Sequence, residues 1–491
     1  MYFSQLITDD MIRNIISNKQ KIVLSGGTGT GKSKFITDKL SRFLDKIYYC
    51  SSRKALTEDM QQRFNDADTS VITTQKIEFI LKHNNDISDM VIDITSKYDA
   101  VVFDEVHLLL DDSNFNEYAE ITYNLMLALL KSDIVVVLIS ATADMLFEHL
   151  VNNNYIQQQN IYCIHKDYSV YTCIPIKYSH KQITERYLFK QIIELMDSTD
   201  DKILYFAKNI NDAYKVYQAL NKLYNGDIQF ACSKYNSEKH IQRINSIDDI
   251  KDGTYQAKLL ICTTVIDVGI DLTDSNIKHI ITDIADISTI IQCLGRKRLS
   301  DMDDKIYFYF VNYNQYYFKR KLEQLKKIKN ELNMIRIDAE LFLQQHKYNI
   351  GNIFIALDKY IRAPFINGKT NIIIKNNAEL KLNNDILVLE HISNKSFKKV
   401  MQENLKGCTM LKEKQPTGKI KDLETFLNRP LYKKEKKELA ELLNITGVKD
   451  NDRRIQRGYK TIAAYLKENY GLDLISTTDT KTRKAIWILK E

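Results

Sequence analysis

Five short stretches in the first 165 residues are apolar at nearly every position: KIVLS (21–25), KIYYC (46–50), SVITT (70–74), AVVFD (100–104) and IVVVLIS (134–140). A strand with one wet face alternates apolar and polar side chains. A continuous run needs cover on both faces, as inside a parallel sheet flanked by helices. Helix-like segments separate the runs, which is the chain path such a sheet requires. KILYFA (202–207), DIQFAC (227–232), KLLICTT (258–264), HIIT (279–282) and KIYFYF (305–310) repeat the pattern. The economical reading is α/β, with two similar parallel-sheet domains in tandem that meet near residues 165–180. At 491 residues the chain is too long for a single core. We assign 1–168 and 169–318 to the two sheet domains, 319–420 to a helical and β accessory region with a β-like insert near 366–392, and 421–491 to a small basic domain.

The same composition excludes several classes. The longest apolar runs, such as DIVVVLISAT (133–142), are too short to span a bilayer. The opening MYFSQLITDDMIR lacks the basic-then-apolar order of a secretory signal. The seven cysteines never approach CxxC spacing, which argues for reduced thiols, not a metal site or a disulfide framework. The expectation is a cytoplasmic protein, in a bacterial cell or a viral or phage host, with no membrane partner. A net charge of +7 permits a polyanionic partner without requiring one.

GGTGTGKS, Gly26-Gly27-Thr28-Gly29-Thr30-Gly31-Lys32-Ser33, fits GxxxxGK[ST] and stands between a strand and a helix-like run. Glycines let the backbone turn tightly enough for its N–H groups to face phosphate oxygens. Lys32 would reach the β- and γ-phosphates of ATP, and the Ser33 hydroxyl would hold Mg²⁺. AVVFDEVH (100–107) ends an apolar strand in adjacent carboxylates. Asp104 would complete the Mg²⁺ shell and Glu105 would orient or deprotonate the attacking water.

With DEVH placed, the chain resembles a superfamily 2 helicase of the DExH type, of a phage or mobile-element kind, over about residues 1–330. The resemblance implies two RecA-like domains with nucleotide between them. SAT (140–142) would couple hydrolysis to nucleic-acid movement through Ser140 and Thr142. YYCSSRKALTEDM (48–60) and VITTQKIEFIL (71–81) look like backbone-gripping motifs, which nominates Ser52, Arg53, Thr73, Thr74 and Gln75. KILYFAKN (202–209) resembles the fourth motif, and TTVIDVGIDL (263–272) resembles the fifth, with Thr264 on nucleic acid and Gly269 and Asp271 on nucleotide. QCLGRKR (292–298) matches the sixth, QxxGRxR. Gln292, Arg296 and Arg298 would then face the P-loop from the second domain, the two arginines as fingers against the γ-phosphate; a surface basic patch is the plainer reading. Two departures stand out. No glutamine lies about 17 residues before the P-loop, where DEAD-box relatives read adenine, so nucleotide preference is expected to be relaxed. Val268 stands where many relatives carry arginine.

Residues 431–491 read as helix, turn, helix and β-hairpin, similar to a winged helix. Arg453, Arg454, Arg457 and Lys460 are expected at the start of the second helix, facing a DNA groove, with Lys481 and Arg483 on the wing. A structural or protein-binding winged helix is the alternative. Trp487 is expected in its core. The basic stretch 319–329 would line the strand's path or form a solvated helix face.

The resulting expectation is an ATP- and Mg²⁺-dependent helicase or translocase. It would act on single-stranded or forked nucleic acid, DNA before RNA, in replication or repair with replication proteins as partners. An RNA helicase, a duplex-DNA remodeller that does not unwind, and a sequence-specific initiator remain alternatives.

Overall fold

A computed structural model describes the chain except residues 1, 28, 65–68, 84–85, 115, 117–118, 179–180, 225, 233–249, 251–252, 264–270, 300–303, 348–349, 363–364, 367–368, 415–425, 444–445, 450–451, 456–457, 471, 480–482, 484 and 491. It divides into two compact units. The larger comprises 1–173, 201–308 and 315–410, and the smaller 174–200, 309–314 and 411–491.

The expected strands form. β1 (Lys21–Gly26), β2 (Ile47–Ser51), β3 (Ser70–Thr73), β4 (Ala100–Asp104), β5 (Val135–Ser140) and β6 (Ile161–Ile164) build one sheet in the order β3-β2-β4-β5-β1-β6. Every pairing in it is parallel. Adjacent residues go to opposite cores: Val101, Phe103, Val136 and Leu138 join one cluster, while Ala100, Val102, Val137 and Ile139 join the other. That two-sided burial is why the runs show no alternation. Because the strands run the same way, Gly26, Asp104 and Ser140 all end at one sheet edge, with Ser25 beside Ser140 and Ser51 beside Asp104 in register.

A second sheet follows. β7 (Tyr171–Lys177), β8 (Lys202–Phe206), β9 (Ile228–Ala231), β10 (Leu259–Cys262), β11 (Ile277–Thr282) and β12 (Ile306–Asn312) join a two-residue strand at 409–410 in the order 409–410, β7, β12, β11, β8, β10, β9. β8 pairs in parallel with β10 and β11 at its centre. The chain is thus mixed α/β with two large sheets in tandem. β6 and β7 continue each block with one strand that the apolar runs did not announce.

The accessory region corrects the expected β-like insert near 366–392. Among the described residues, only two-residue strands at 361–362, 365–366, 369–370 and 373–374 form, and Asn376–Lys395 is a 20-residue helix. The reason is the four-residue recurrence of Ala378, Leu382 and Ile386, all buried, which outweighs the β-branched run at 372–374. This helix packs along the Gln315–Ile337 helix around a core that includes Leu332, Ile335 and Phe342. Most of the basic 319–329 face of the latter helix is solvent-exposed.

In the smaller unit, helices Lys433–Leu443 and Tyr459–Tyr470 pack on a three-stranded antiparallel sheet formed by 430–431, 485–490 and 473–478. Leu439, Leu443, Ile462, Leu466 and Trp487 share its core, with Trp487 9% exposed, as expected. The placement of the arginines is corrected. Arg453 and Arg454 lie on a strand, Asp452–Ile455, paired with Thr446–Lys449, and not at the start of a helix. The intervening Asp-Asn pair is turn-prone, and Lys449 opposes Asp452 in the resulting hairpin. Lys460 is the second residue of the following helix and is exposed. Arg483 is exposed in the link between the last two strands with φ +53°. Arg457 and Lys481 lie outside the described residues.

Candidate nucleotide site and interlobe cleft

The loop after β1 needs its glycines. Gly29 and Gly31 have φ of +85° and +80°, where a side chain is strained. A Cβ on Gly26 would lie 2.9 Å from Thr30 Oγ1. Thr30 in turn donates its hydroxyl to the Gly27 carbonyl at 2.7 Å, closing the turn. Lys32 opens the next helix, yet its side chain folds back, donating to the Gly26 and Gly27 carbonyls at 2.6 and 3.0 Å. Burial lowers its pKa; Glu105 and Asp104 oppose that shift, while Arg298 and Arg296 add to it. Burial outweighs the two carboxylates, which act on the ammonium more strongly than the two guanidinium groups do. Ser33, next along the helix, is half-buried. Thr28 lies outside the described residues.

Across the sheet edge, Asp104 is buried. It accepts hydrogen bonds from the Tyr49 hydroxyl and, at 2.8 Å, from the Glu105 backbone N–H. Burial, then the neighbouring Glu105 charge, pushes its carboxyl up to about 6 against the Tyr49 and Lys32 contributions. Glu105 itself has φ +50°, a left-handed conformation costing a non-glycine residue roughly 1–2 kcal/mol. The Val106 N–H donates to the Ile139 carbonyl of β5 at 2.9 Å and pins this turn.

His107 is the member of DEVH to which the sequence assigned no role, and it proves central. The Gln292 amide nitrogen lies 2.7 Å from His107 Nε2 and 3.1 Å from Thr142 Oγ1. With the amide donating, the imidazole's own proton sits on Nδ1, 3.0 Å from Ser140 Oγ and 3.4 Å from the Glu105 carboxylate. Ser140 Oγ also accepts from the Thr142 N–H at 3.2 Å. One relay therefore joins the ends of β4 and β5 to the Ile287–Arg296 helix of the second sheet. The Asp286 carboxylate caps that helix, accepting from the Thr289 N–H at 2.8 Å.

The arginines divide. Arg298 reaches the P-loop, with Nη1 2.7 Å from where a Cβ on Gly29 would sit and Nη2 donating to Asp271 at 2.8 Å. Arg296 is buried and lines a cleft of about 850 Å³ together with Glu105, His107, Thr142 and Gln292. Gly269 and Thr264, like Val268, lie outside the described residues.

Arg53 borders the same cleft and is paired with Asp112 at 3.4 Å. Ser52 and Thr74 are buried, and the Ser52 carbonyl accepts from Gln75 Nε2 at 3.1 Å. Thr73 Oγ1 accepts from the Lys76 N–H at 3.2 Å, and Gln75 is the exposed member of the group. Tyr49 and His107 both lie inside motifs the sequence displays, YYCSSRKALTEDM and DEVH, but nothing local assigned either side chain a role.

A family model for the CRISPR-associated nuclease/helicase Cas3, C-terminal, matches residues 199–299. No curated protein matches the chain. Among solved structures, the Escherichia coli DEAH/RHA helicase HrpB is 12% identical, with a TM-score of 0.41 over 62% of this chain and 42% of its own length. S. cerevisiae Dbp5 bound to RNA and ADP BeF3 is 16% identical, with a TM-score of 0.41 over 60% of this chain and 80% of its own. Mss116p bound to ssRNA and AMP-PNP is 14% identical, with a TM-score of 0.42 over 79% of this chain and 90% of its own. The chain thus spans well under half the length of the HrpB structure. Among the described residues, no helix is long and apolar enough to cross a membrane.

Proposed function

We propose that the chain is a nucleoside-triphosphate-hydrolysing protein of the superfamily 2 DExH helicase type, a motor that moves along single-stranded nucleic acid by opening and closing its two lobes, with DNA its substrate before RNA; the helicase family model matched over residues 199–299 supports this reading. The observation that carries this reading is the relay through Thr142, Gln292, His107 and Ser140. A hydrogen-bonded path between the carboxylate edge of one lobe and a helix of the other lets the state of the nucleotide set the closure of the lobes.

In this reading ATP lies on the P-loop, with its phosphates on the backbone of Gly26 to Ser33 and Lys32 exchanging loop carbonyls for phosphate oxygens. Glu105 orients the attacking water and takes its proton. Arg296 and Arg298 neutralise charge developing on the γ-phosphoryl group, so hydrolysis proceeds only when the lobes are closed. Mg²⁺ fits the donors present. Ser33 and Asp104 offer only oxygens, and a cation beside the buried, Glu105-crowded Asp104 would relieve the repulsion that raises its pKa. Held there, Mg²⁺ would supply neutralising charge to the phosphates.

Arg53, Thr73 and Gln75, with the backbone at Ser52 and Thr74 and the segment at Thr264, grip the sugar-phosphate backbone. Such contacts carry little sequence preference. The terminal domain, winged-helix-like, adds duplex contacts through Arg453, Arg454, Arg457, Lys460, Lys481 and Arg483, which is why DNA is favoured, in replication or repair. ATPase activity measured against single-stranded DNA, duplex DNA and RNA at matched phosphate concentration tests the assignment: single-stranded DNA should stimulate most, and no stimulation by any of them would end it. A strand-displacement assay run beside streptavidin displacement separates unwinding from remodelling, since a remodeller clears streptavidin and leaves the duplex intact.

A further inference from the structure

The P-loop is covered at each of its first glycines by a different part of the chain, and one covering group belongs to no motif. A Cβ placed on Gly27 would lie 3.0, 3.3 and 3.7 Å from Cβ, Cδ and Cγ of Lys166. The aliphatic stem of Lys166 therefore lies along the phosphate loop, and a side chain at position 27 would have to push it back by a few tenths of an ångström. Lys166 belongs to the short segment that joins β6 to β7, the link between the two sheets. Its ammonium stands 5.4 Å from the ring centroid of Tyr168, whose own side chain is buried.

The charges around that ammonium are out of balance. Arg298 and Lys32 face it with like charge, and Asp271 is the opposing carboxylate, already hydrogen-bonded to Arg298. The adjacent Asp167 is turned to its own segment, accepting from the Ser169 N–H and hydroxyl, both at 2.9 Å. Burial first, then Arg298 and Lys32, hold the Lys166 pKa down to about 8. A lysine packed on a phosphate-binding loop among other cations lacks one component, an anion, and the loop exists to bind one.

We propose that Lys166 is a second lysine of the nucleotide site, contacting the phosphates of the bound nucleoside triphosphate from the link between the lobes. The nucleotide then touches that link directly, in addition to the loop of one lobe and the arginines of the other. This inference rests on the P-loop being the nucleotide site.

The test measures kcat and KM for ATP hydrolysis by the full chain between pH 6.5 and 9.5, for the wild type and for Lys166→Met, Lys166→Arg and Lys32→Ala. Methionine keeps the stem on Gly27 and removes the charge. A charged hydrogen bond to phosphate corresponds to about a tenfold rise in KM for Lys166→Met with little change in kcat, and Lys166→Arg should stay near wild type. Phosphate favours the protonated amine, so wild-type KM should climb as pH passes about 8, where the free-state ammonium is lost. Lys166→Met should lack that component, whereas titration of Lys32 is common to both proteins and cancels in their ratio. Equal KM and equal pH profiles for wild type and Lys166→Met, with Lys32→Ala inactive, overturn the role of Lys166 alone. Equal impairment of the Met and Arg variants overturns it too, by showing that the stem's packing is what matters. An active Lys32→Ala removes the nucleotide site itself, and this inference with it.

Discussion

The two sheets have the same construction and unequal equipment. In the first, Gly26, Asp104 and Ser140 end neighbouring parallel strands, so the phosphate loop, the carboxylates and the SAT turn sit together without help from elsewhere. The second contributes Gln292 and Arg296 from one helix, Arg298 two residues beyond it, and Asp271. In the proposed function the first lobe holds the nucleotide and the second completes the site. Substitutions in the two lobes should therefore differ in kind: first-lobe changes act on binding and hydrolysis together, and second-lobe changes act on turnover.

The largest expected effect is that of Lys32→Ala, which should abolish hydrolysis and weaken nucleotide binding, read by fluorescent-nucleotide titration. Equal binding by variant and wild type would break the contrast from the first side. Arg296→Ala should lower kcat by about 10³–10⁵ while leaving nucleotide affinity close to wild type; a parallel loss of affinity would show that the second lobe binds as well as completes. Gln292→Ala removes both relay hydrogen bonds, each worth about 1 kcal/mol, so kcat should fall by roughly ten- to a hundredfold. Replacing ATP by GTP or UTP should keep the rate above about one hundredth, because no base-reading glutamine precedes the P-loop. Smallest is Asp271→Asn. The Arg298–Asp271 pair is 33% and 42% exposed, and such pairs contribute at most about 1 kcal/mol, so kcat should change less than about fivefold.

The terminal unit sharpens the same lesson at a different scale. Its helices and its Trp487 core follow from apolar spacing and formed as read. The arginines did not, because Asp and Asn between residues 449 and 452 favour a hairpin whose pairing only the backbone register reveals. The 366–392 stretch is mostly helix because Ala378, Leu382 and Ile386 set a helical period over a longer span than the β-branched run at 372–374.

Periodicity and short motifs were enough for the strands other than β6 and β7, the glycine-rich loop and the edge where the carboxylates gather. Each depends on residues within a few positions of one another, and local sterics and two-sided burial act at that range. Contacts between distant segments were decided only when the chain packed: Gln292 on His107, Arg298 over Gly29 and Lys166 along Gly27. No local preference brings such residues together, because their separation in space is set by how two whole cores seat against each other.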